Sequence, residues 1–324
     1  MKKTILAVVI PALFAASANA AVIYDKDGSN VEMTGRAKAN FYNDAASSES
    51  SSTINGDVRL GFKASTAITD DIKGIARVEW QVAAQSSEDG KFNVRHAYAG
   101  FDAGNYGTIV FGQTETAFYD VVGATDVFNE WGSYGNSYWG YRDGSTNFGG
   151  RQEGQAVYHV NYGGLTAGLS YISSNDSTNL DYGYAGALTY AFDFGLGIGA
   201  TAQKFESLDG LADQQDWAID ATWGSYGDGL YLAGLYNQSK QETSGVEEKI
   251  KSYELAALYF QDNWGLLSGF NYSKNDDTDT ELTNEFILGA QYNFTSNFFT
   301  YTEYLFDQRD NADDQWTLAL QYNF

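Results

Sequence analysis

The residues of this chain whose types and spacing could do chemistry are two carboxylates and a set of arginines. Asp126 and Glu130 stand four residues apart in an aromatic, glycine-rich segment, residues 114–150, and share one face if that segment makes a helical turn. Carboxylates that face guanidinium groups across a wet constriction sort small solutes by size and charge, without tight binding. The basic residues that could face them include Arg36, Arg59, Arg95 and Arg151.

Catalysis is a weaker interpretation of the same residues. A carboxylate pair could hydrolyse glycosides, but one member must then be kept neutral by burial, whereas nearby arginines would hold both ionised. The two histidines, His96 and His159, lie on separate segments, where we expect them to face lipid, a subunit interface or an aromatic girdle. The sequence has no cysteine, which excludes thiolate metal sites and cysteine nucleophiles. We therefore expect no enzyme, no metal and no cofactor.

The start of the chain predicts export. Lys2 and Lys3 precede an apolar run, residues 5–16, and an Ala-Asn-Ala cleavage motif at 18–20. This is typical of a signal peptide over residues 1–20, and it leaves residues 21–324 as one domain. That domain has 17 basic residues against 42 acidic ones, so we expect no nucleic-acid partner.

The rest of the chain alternates with period two. In residues 31–41 small and apolar residues fall on one face and charged or polar residues on the other, and residues 315–324 alternate in the same way. Sixteen such segments can be counted, including 229–239 and 250–260, and the single proline, Pro11, interrupts none of them. We predict an all-β fold, a transmembrane antiparallel β-barrel of 16 strands, in preference to a soluble sandwich.

The connections support a barrel that spans a membrane. Short turns alternate with longer acidic loops, as in outer-membrane barrels, and aromatic residues flank the short turns like an interfacial girdle. The predicted short turns are residues 163–164, 193–195, 227–228, 261–265 and 295–297.

The segment 114–150 is too long for an ordinary loop and too aromatic for a disordered one. We predict that it folds into the barrel lumen. With the apolar faces toward lipid, the polar faces of the first four strands place further cations in that lumen, namely Lys38, Lys63 and Arg77.

Several motifs make the sequence similar to the general diffusion porins of Gram-negative outer membranes, which are trimers of sixteen-stranded barrels narrowed by an infolded third loop. The motifs are AVIYDKDG (21–28), RLGFKA (59–64), RHAYAG (95–100), TDVFNEWGS (125–133) and the terminal QYNF.

The resemblance implies a location in the cell outer membrane, a homotrimer, and passive diffusion of small hydrophilic solutes and ions. It makes Phe324 the signal for assembly into the membrane. It also assigns the constriction to two acidic and four basic residues, namely Asp126, Glu130, Arg36, Arg59, Arg95 and Arg151. The chain departs from the family pattern twice, because Asn129 replaces a proline and Gln113 replaces a basic residue.

Other interpretations stay open at this point. Tyr134, Tyr138, Trp139 and Tyr141 could form an aromatic slide, which would indicate a solute-specific, sugar-type channel. A plugged barrel would be structural or adhesive. Small residues on the outward faces of strands one and three would suit trimer contacts.

Membrane lipid and lipopolysaccharide are the expected surroundings. The acidic outer loops are either simply solvated or bridged by divalent cations to lipopolysaccharide phosphates. These loops predict a mild cation preference. The sequence does not place Arg142 and Asp143.

Overall fold

The computed structural model describes residues 20–44, 51–84, 92–142 and 146–324. The predicted signal peptide, apart from its last residue, and Asp143 lie outside these ranges, so cleavage after residue 20 stays a prediction. Across the described ranges, no helix is long and apolar enough to span a membrane.

The described residues form seventeen strands and one short α-helix. The strands are β1 Ala21–Lys26, β2 Ser29–Asp44, β3 Ser51–Ala67, β4 Lys73–Ala84, β5 Phe92–Asp102, β6 Thr108–Thr114, β7 Gln152–Tyr162, β8 Leu165–Ile172, β9 Leu180–Ala191, β10 Leu196–Ser207, β11 Gln214–Ser225, β12 Asp228–Thr243, β13 Val246–Gln261, β14 Trp264–Asn275, β15 Thr280–Asn293, β16 Phe298–Asp307 and β17 Gln315–Asn323. Helix α1 spans Tyr119–Val122, and two single 3₁₀ turns occupy Gly104–Tyr106 and Asp176–Thr178.

Sixteen of these strands close into a ring. Each strand from β2 to β16 pairs antiparallel with the next, and β17 returns to β2, from the pair Gln315↔Asp44 to the pair Asn323↔Arg36. Closure leaves no unpaired edge in the lipid, where backbone groups would find no other partner. The predicted sixteen-stranded antiparallel barrel is confirmed.

The short strand β1 is an addition that the alternation did not predict. It pairs with residues 29–33 of β2, beyond the end of β17 on the same edge. Asp27 and Gly28, with φ of 53° and 75°, make the turn between β1 and β2. An Asp-Gly turn with two positive φ angles is a strong hairpin signal, so this dipeptide could have revealed the strand.

The two rims of the barrel differ as predicted. All five predicted short turns join strands at one rim, and aromatic rings meet there, as in Tyr190–Phe192 at 4.7 Å and Phe294–Phe298 at 5.4 Å. At the other rim β12 and β13 extend beyond residues 229–239 and 250–260, because Ser244 and Gly245 adopt positive φ and close a tight hairpin.

The strand faces also divide as predicted. On β13, Tyr253 and Leu255 face outward and are about half exposed, while the alternate residues Ser252 and Glu254 are buried inside. This alternation gives the barrel an apolar outer surface and a polar inner wall.

The segment between β6 and β7, residues 115–151, folds into the lumen. Phe118, Val121 and Val122 pack against small inward residues of the wall, among them Ala187 and Ala218. At Gly269 a Cβ atom would overlap the ring of Phe128 from this segment. Small inward residues of the wall leave room for the insertion where it packs, and the predicted infolded third loop is confirmed.

Candidate functional site

The inserted segment and the opposite wall enclose a cavity of about 540 Å³. All six residues that the sequence assigned to a constriction line it, and so do several that it did not. The predicted members are Arg36, Arg59, Arg95, Arg151, Asp126 and Glu130. The additional charged and aromatic members include Arg77, Glu79, Glu115, Trp139, Tyr119 and Tyr134.

One wall of the cavity is a row of guanidinium groups. Arg36 and Arg59 are cross-strand partners on β2 and β3, so their side chains lie side by side on the inner face. Arg36 pairs with Asp57, with Nη2 3.0 Å from Oδ1. Arg59 donates from Nε to the neutral amide oxygen of Gln81 at 3.0 Å, and no carboxylate of the described ranges pairs with it. The positive charge of Arg59 is therefore less compensated than that of Arg36.

Arg95 enters this row through a β-bulge. The pairing of β4 with β5 shifts between Glu79↔His96 and Trp80↔Val94, so Arg95 is the extra residue. Its Nε lies 2.6 Å from Oε1 of Glu79.

The bulge also reverses which residues of β5 face inward. His96 is buried, lines the cavity and lies 3.1 Å from Thr114 Oγ1. The expectation that His96 faces lipid, an interface or a girdle is wrong, because strict period-two alternation does not survive an inserted residue.

His159 was also placed wrongly. Its Nε2 atom lies 2.8 Å from Oδ2 of Asp120, which is a buried residue of α1 inside the barrel. His159 therefore fastens the start of the inserted segment to β7. Burial raises the pKa of the Asp120 carboxyl, and the bond to His159 opposes that shift.

The two predicted carboxylates reach the cavity without forming a helical turn, because α1 ends before them at Val122. Asp126 Oδ2 accepts hydrogen bonds from the hydroxyl of Tyr119 at 2.6 Å and from Nε1 of Trp139 at 3.0 Å. Burial raises the pKa of Asp126, although both donors favour its charged form.

Glu130 is engaged differently. Its Oε2 accepts a hydrogen bond from Nζ of Lys38 at 2.9 Å and another from the hydroxyl of Tyr301 at 3.1 Å. The sequence placed Lys38 in the lumen but not in the site. The structure makes it the direct partner of the cavity carboxylate Glu130.

Arg151 has two partners that the sequence did not indicate. Its Nε lies 2.7 Å from Oε1 of Glu115, and its guanidinium carbon lies 4.8 Å from the ring centroid of Trp139. Burial raises the pKa of the Glu115 carboxyl, but Arg151, together with His96, Arg77 and a backbone hydrogen bond, outweighs burial and holds that pKa below its usual value.

Two buried wall carboxylates hold the segment by its backbone. Glu303 accepts from the N–H groups of three consecutive residues, 129–131, at 2.7, 3.0 and 3.2 Å. Glu254 accepts from the backbone N–H of Gly135 at 2.8 Å and also from the side-chain Nδ2 of Asn136 at 3.1 Å. The sequence analysis missed both, although an acidic residue in the middle of an inner strand face was a usable signal.

The two departures from the family pattern have structural consequences. Asn129 donates its backbone N–H to Glu303, a bond that a proline at this position could not make. Gln113 donates to the carbonyl oxygen of Val94, beside the β5 bulge, at 2.8 Å. The Gln113 side chain thus hydrogen-bonds to the backbone at the bulge and does not take the place of a charged residue in the cavity.

The later part of the segment packs against the wall. Arg142 pairs with buried Glu285 at 2.9 Å, donates to Gln315 at 2.7 Å and lies over the ring of Tyr134 at 5.1 Å. Tyr138 and Tyr141 are only 1% and 2% exposed. Two of the four residues of the possible aromatic slide are therefore buried in packing and cannot touch a passing solute.

Known proteins resemble this chain along its whole length. Residues 6–323 match the family described as Gram-negative porin. Outer membrane porin F of Escherichia coli is 32% identical, with all of both chains covered. The structure of Salmonella typhi OmpF in complex with daunomycin shares the fold, with a TM-score of 0.83 at 20% identity over 94% of this chain and 100% of that one. The trimer form of Vibrio cholerae OmpT has a TM-score of 0.74 at 16% identity over 92% and 100%.

Proposed function

Because the chain belongs to the Gram-negative porin family and its barrel lies in the outer membrane, we propose that it is a general diffusion channel whose water-filled lumen passes small hydrophilic solutes and ions. The observation that supports this proposal is the single cavity in which loop carboxylates and wall arginines meet. We expect no catalytic activity from it.

The constriction acts through a transverse field. Arg36, Arg59 and Arg95 stand on the barrel wall, while Asp126 and Glu130 belong to the inserted segment. The electric field between two such charged walls orients a dipolar solute that passes between them. An apolar solute must displace the water that the charged groups bind. Because most of the charges already have partners, they offer no strong binding site, and passage stays fast.

The expected ion preference is a mild one for cations. Within the constriction most cations face carboxylates, so neither sign dominates; Glu130, for example, is paired with Lys38. The outer loops are strongly acidic, as in the connection from Asp276 to Asp279, and concentrate cations at the mouth. The same loops could bind divalent cations that bridge to lipopolysaccharide phosphates.

The functional unit is proposed to be a homotrimer. The outward faces of β2 and β4 carry very small residues, which allow close contact between barrels inside a membrane. These residues are Ala37, Ala39, Gly74 and Ala76, whereas the ring of Phe324 lies over Gly35.

The test is single-channel recording of the purified protein in a planar bilayer under a salt gradient. We expect ohmic current steps in groups of three. The reversal potential should indicate a mild preference for cations. The double variant Asp126→Asn plus Glu130→Gln should lower that preference, while Asp228→Asn, at the short-turn rim, should not. Absence of current would contradict the proposal and indicate a plugged barrel, and saturable block by one sugar would indicate a solute-specific channel instead.

A further inference from the structure

Trp139 lies between two opposite charges of the cavity. Its indole Nε1 donates to Asp126 Oδ2 at 3.0 Å, and its ring lies under the guanidinium of Arg151, with 4.8 Å from the guanidinium carbon to the ring centroid. Neither strand alternation nor the charge pattern singles this residue out. In the sequence analysis Trp139 was considered only as one residue of a possible aromatic slide.

The two contacts use different parts of one ring. The edge of an aromatic ring is positive and the indole N–H is a donor, so this edge suits a carboxylate. The face of the ring is negative and attracts a guanidinium. One rigid side chain can therefore hold a carboxylate and a guanidinium in fixed directions at once.

The ring itself is held firmly. Tyr119 and Tyr138 meet it edge to face, with centroids 5.8 and 4.9 Å away. Gly150, at φ of 69°, brings the backbone against the ring, since a Cβ there would lie 3.5 Å from Trp139 Cζ3. The side chain nevertheless lines the cavity. It therefore combines rigid support with access to the solute path.

We propose that Trp139 is the positioning residue that orients Asp126 and Arg151, and that the ion selectivity of the channel depends on it. The inference rests on the proposed function, because it concerns the same constriction. It goes beyond that function by assigning the direction of the transverse field to an uncharged side chain.

The experiment compares Trp139→Phe with Trp139→Gln in planar bilayers. Phenylalanine keeps a ring face for Arg151 but loses the donor to Asp126, whereas glutamine keeps a donor and loses the face. We expect Trp139→Phe to lower the cation-to-anion permeability ratio. The midpoint of the pH dependence of this ratio should move upward by about one pH unit, because the lost hydrogen bond stabilised the charged form of the Asp126 carboxylate. Trp139→Gln should leave that midpoint near the wild-type value.

The other charged and titratable groups around Asp126 are unchanged in both Trp139 variants, so the differences report on the indole. Those groups are Arg95, Arg151, Tyr119, Tyr134, Tyr226, Glu130 and Glu254.

Two further variants separate positioning from packing. Trp131→Phe makes the same chemical change in the same segment, at a buried ring that packs on Tyr42, and should leave the pH midpoint unchanged. In an Asp126→Asn background, Trp139→Phe should cause no further shift of the midpoint. Wild-type behaviour of Trp139→Phe, or an equal effect in the Asp126→Asn background, would overturn the inference. A wild-type protein without current would instead overturn the proposed function.

Discussion

The ammonium nitrogen of Lys38 lies 2.9 Å from Oε2 of Glu130, and the Lys38 side chain is only 7% exposed. The ion pair joins strand β2 to the inserted segment inside the lumen. Because a nearly buried pair is poorly screened by salt, each partner controls how much charge the other presents to a passing ion.

Lys38→Met should increase the cation preference, because it removes the cation that pairs with Glu130. We expect the cation-to-anion permeability ratio to rise about twofold, since uncompensated charge in a narrow passage concentrates counterions. The measurement is the reversal potential in a salt gradient. Lys63→Met, which removes another inward lysine of the same wall, is the control, and an equal effect of both variants would contradict the prediction.

Glu115→Gln should release Arg151 and shift the channel toward anions. The same substitution tests a pH dependence of stability. The pKa of Glu115 is lowered in the fold by Arg151, although burial opposes it, so its contribution is present above the unfolded value of about 4.3 and is lost as pH falls through the lower folded value. The difference in unfolding free energy between wild type and variant should therefore shrink in acid. A difference that stays constant from pH 7 to pH 3 would exclude this pairing.

The alternation of the sequence predicted the barrel wall correctly where each strand is regular. Arg36 and Arg59 follow from period two alone, because every second residue of an antiparallel strand faces the same side. His96 does not, because one extra residue at Arg95 reverses the parity of the strand after it.

The partners of the charges could not be predicted, because they depend on the path of the inserted segment. That path is fixed by contacts far apart in sequence, such as those of Glu254 and Glu303 with backbone N–H groups of the loop. Lys38 was recognised as a lumen residue, yet its pairing with Glu130 spans 92 positions of the chain. Local pattern carries no information on such a pair.

Glu303→Gln should loosen the tip of the inserted segment. The carboxylate accepts three backbone N–H bonds, and hydrogen bonds to a charged acceptor are stronger than those to an amide oxygen. We expect a loss of about 1–3 kcal/mol in unfolding free energy and noisier open-channel current. Glu281→Gln, at an exposed position near the outer rim, is the control. Quiet current and unchanged stability would show that the tip is held by other contacts.

Gly269→Ala should displace Phe128, because a Cβ at residue 269 would overlap the end of that ring. Overpacking of this kind costs about 1–3 kcal/mol, and we expect a changed single-channel conductance as the loop shifts. The matched control is Gly234→Ala, where the new Cβ would meet only Leu255 Cδ2 at 3.4 Å, an ordinary contact. If both variants behave alike in urea unfolding and conductance, the packing around Phe128 can accommodate the added methyl group, which would contradict the prediction.

Deleting Phe324 should leave unassembled protein in the periplasm. The backbone of Phe324 exchanges two hydrogen bonds with Gly35, at 2.7 and 2.9 Å, and its ring lies against Gly35, where a Cβ would come within 2.5 Å of Cζ. The terminal residue therefore has a structural role in closing the barrel, besides the recognition role that the family resemblance implies. Gly35→Ala keeps the terminal phenylalanine, while its new Cβ would come within 2.5 Å of both the Phe324 ring and the carbonyl oxygen of Arg59. Defective assembly of the deletion alone, measured by membrane fractionation, would favour recognition. Equal defects would favour closure, and normal assembly of the deletion would contradict both.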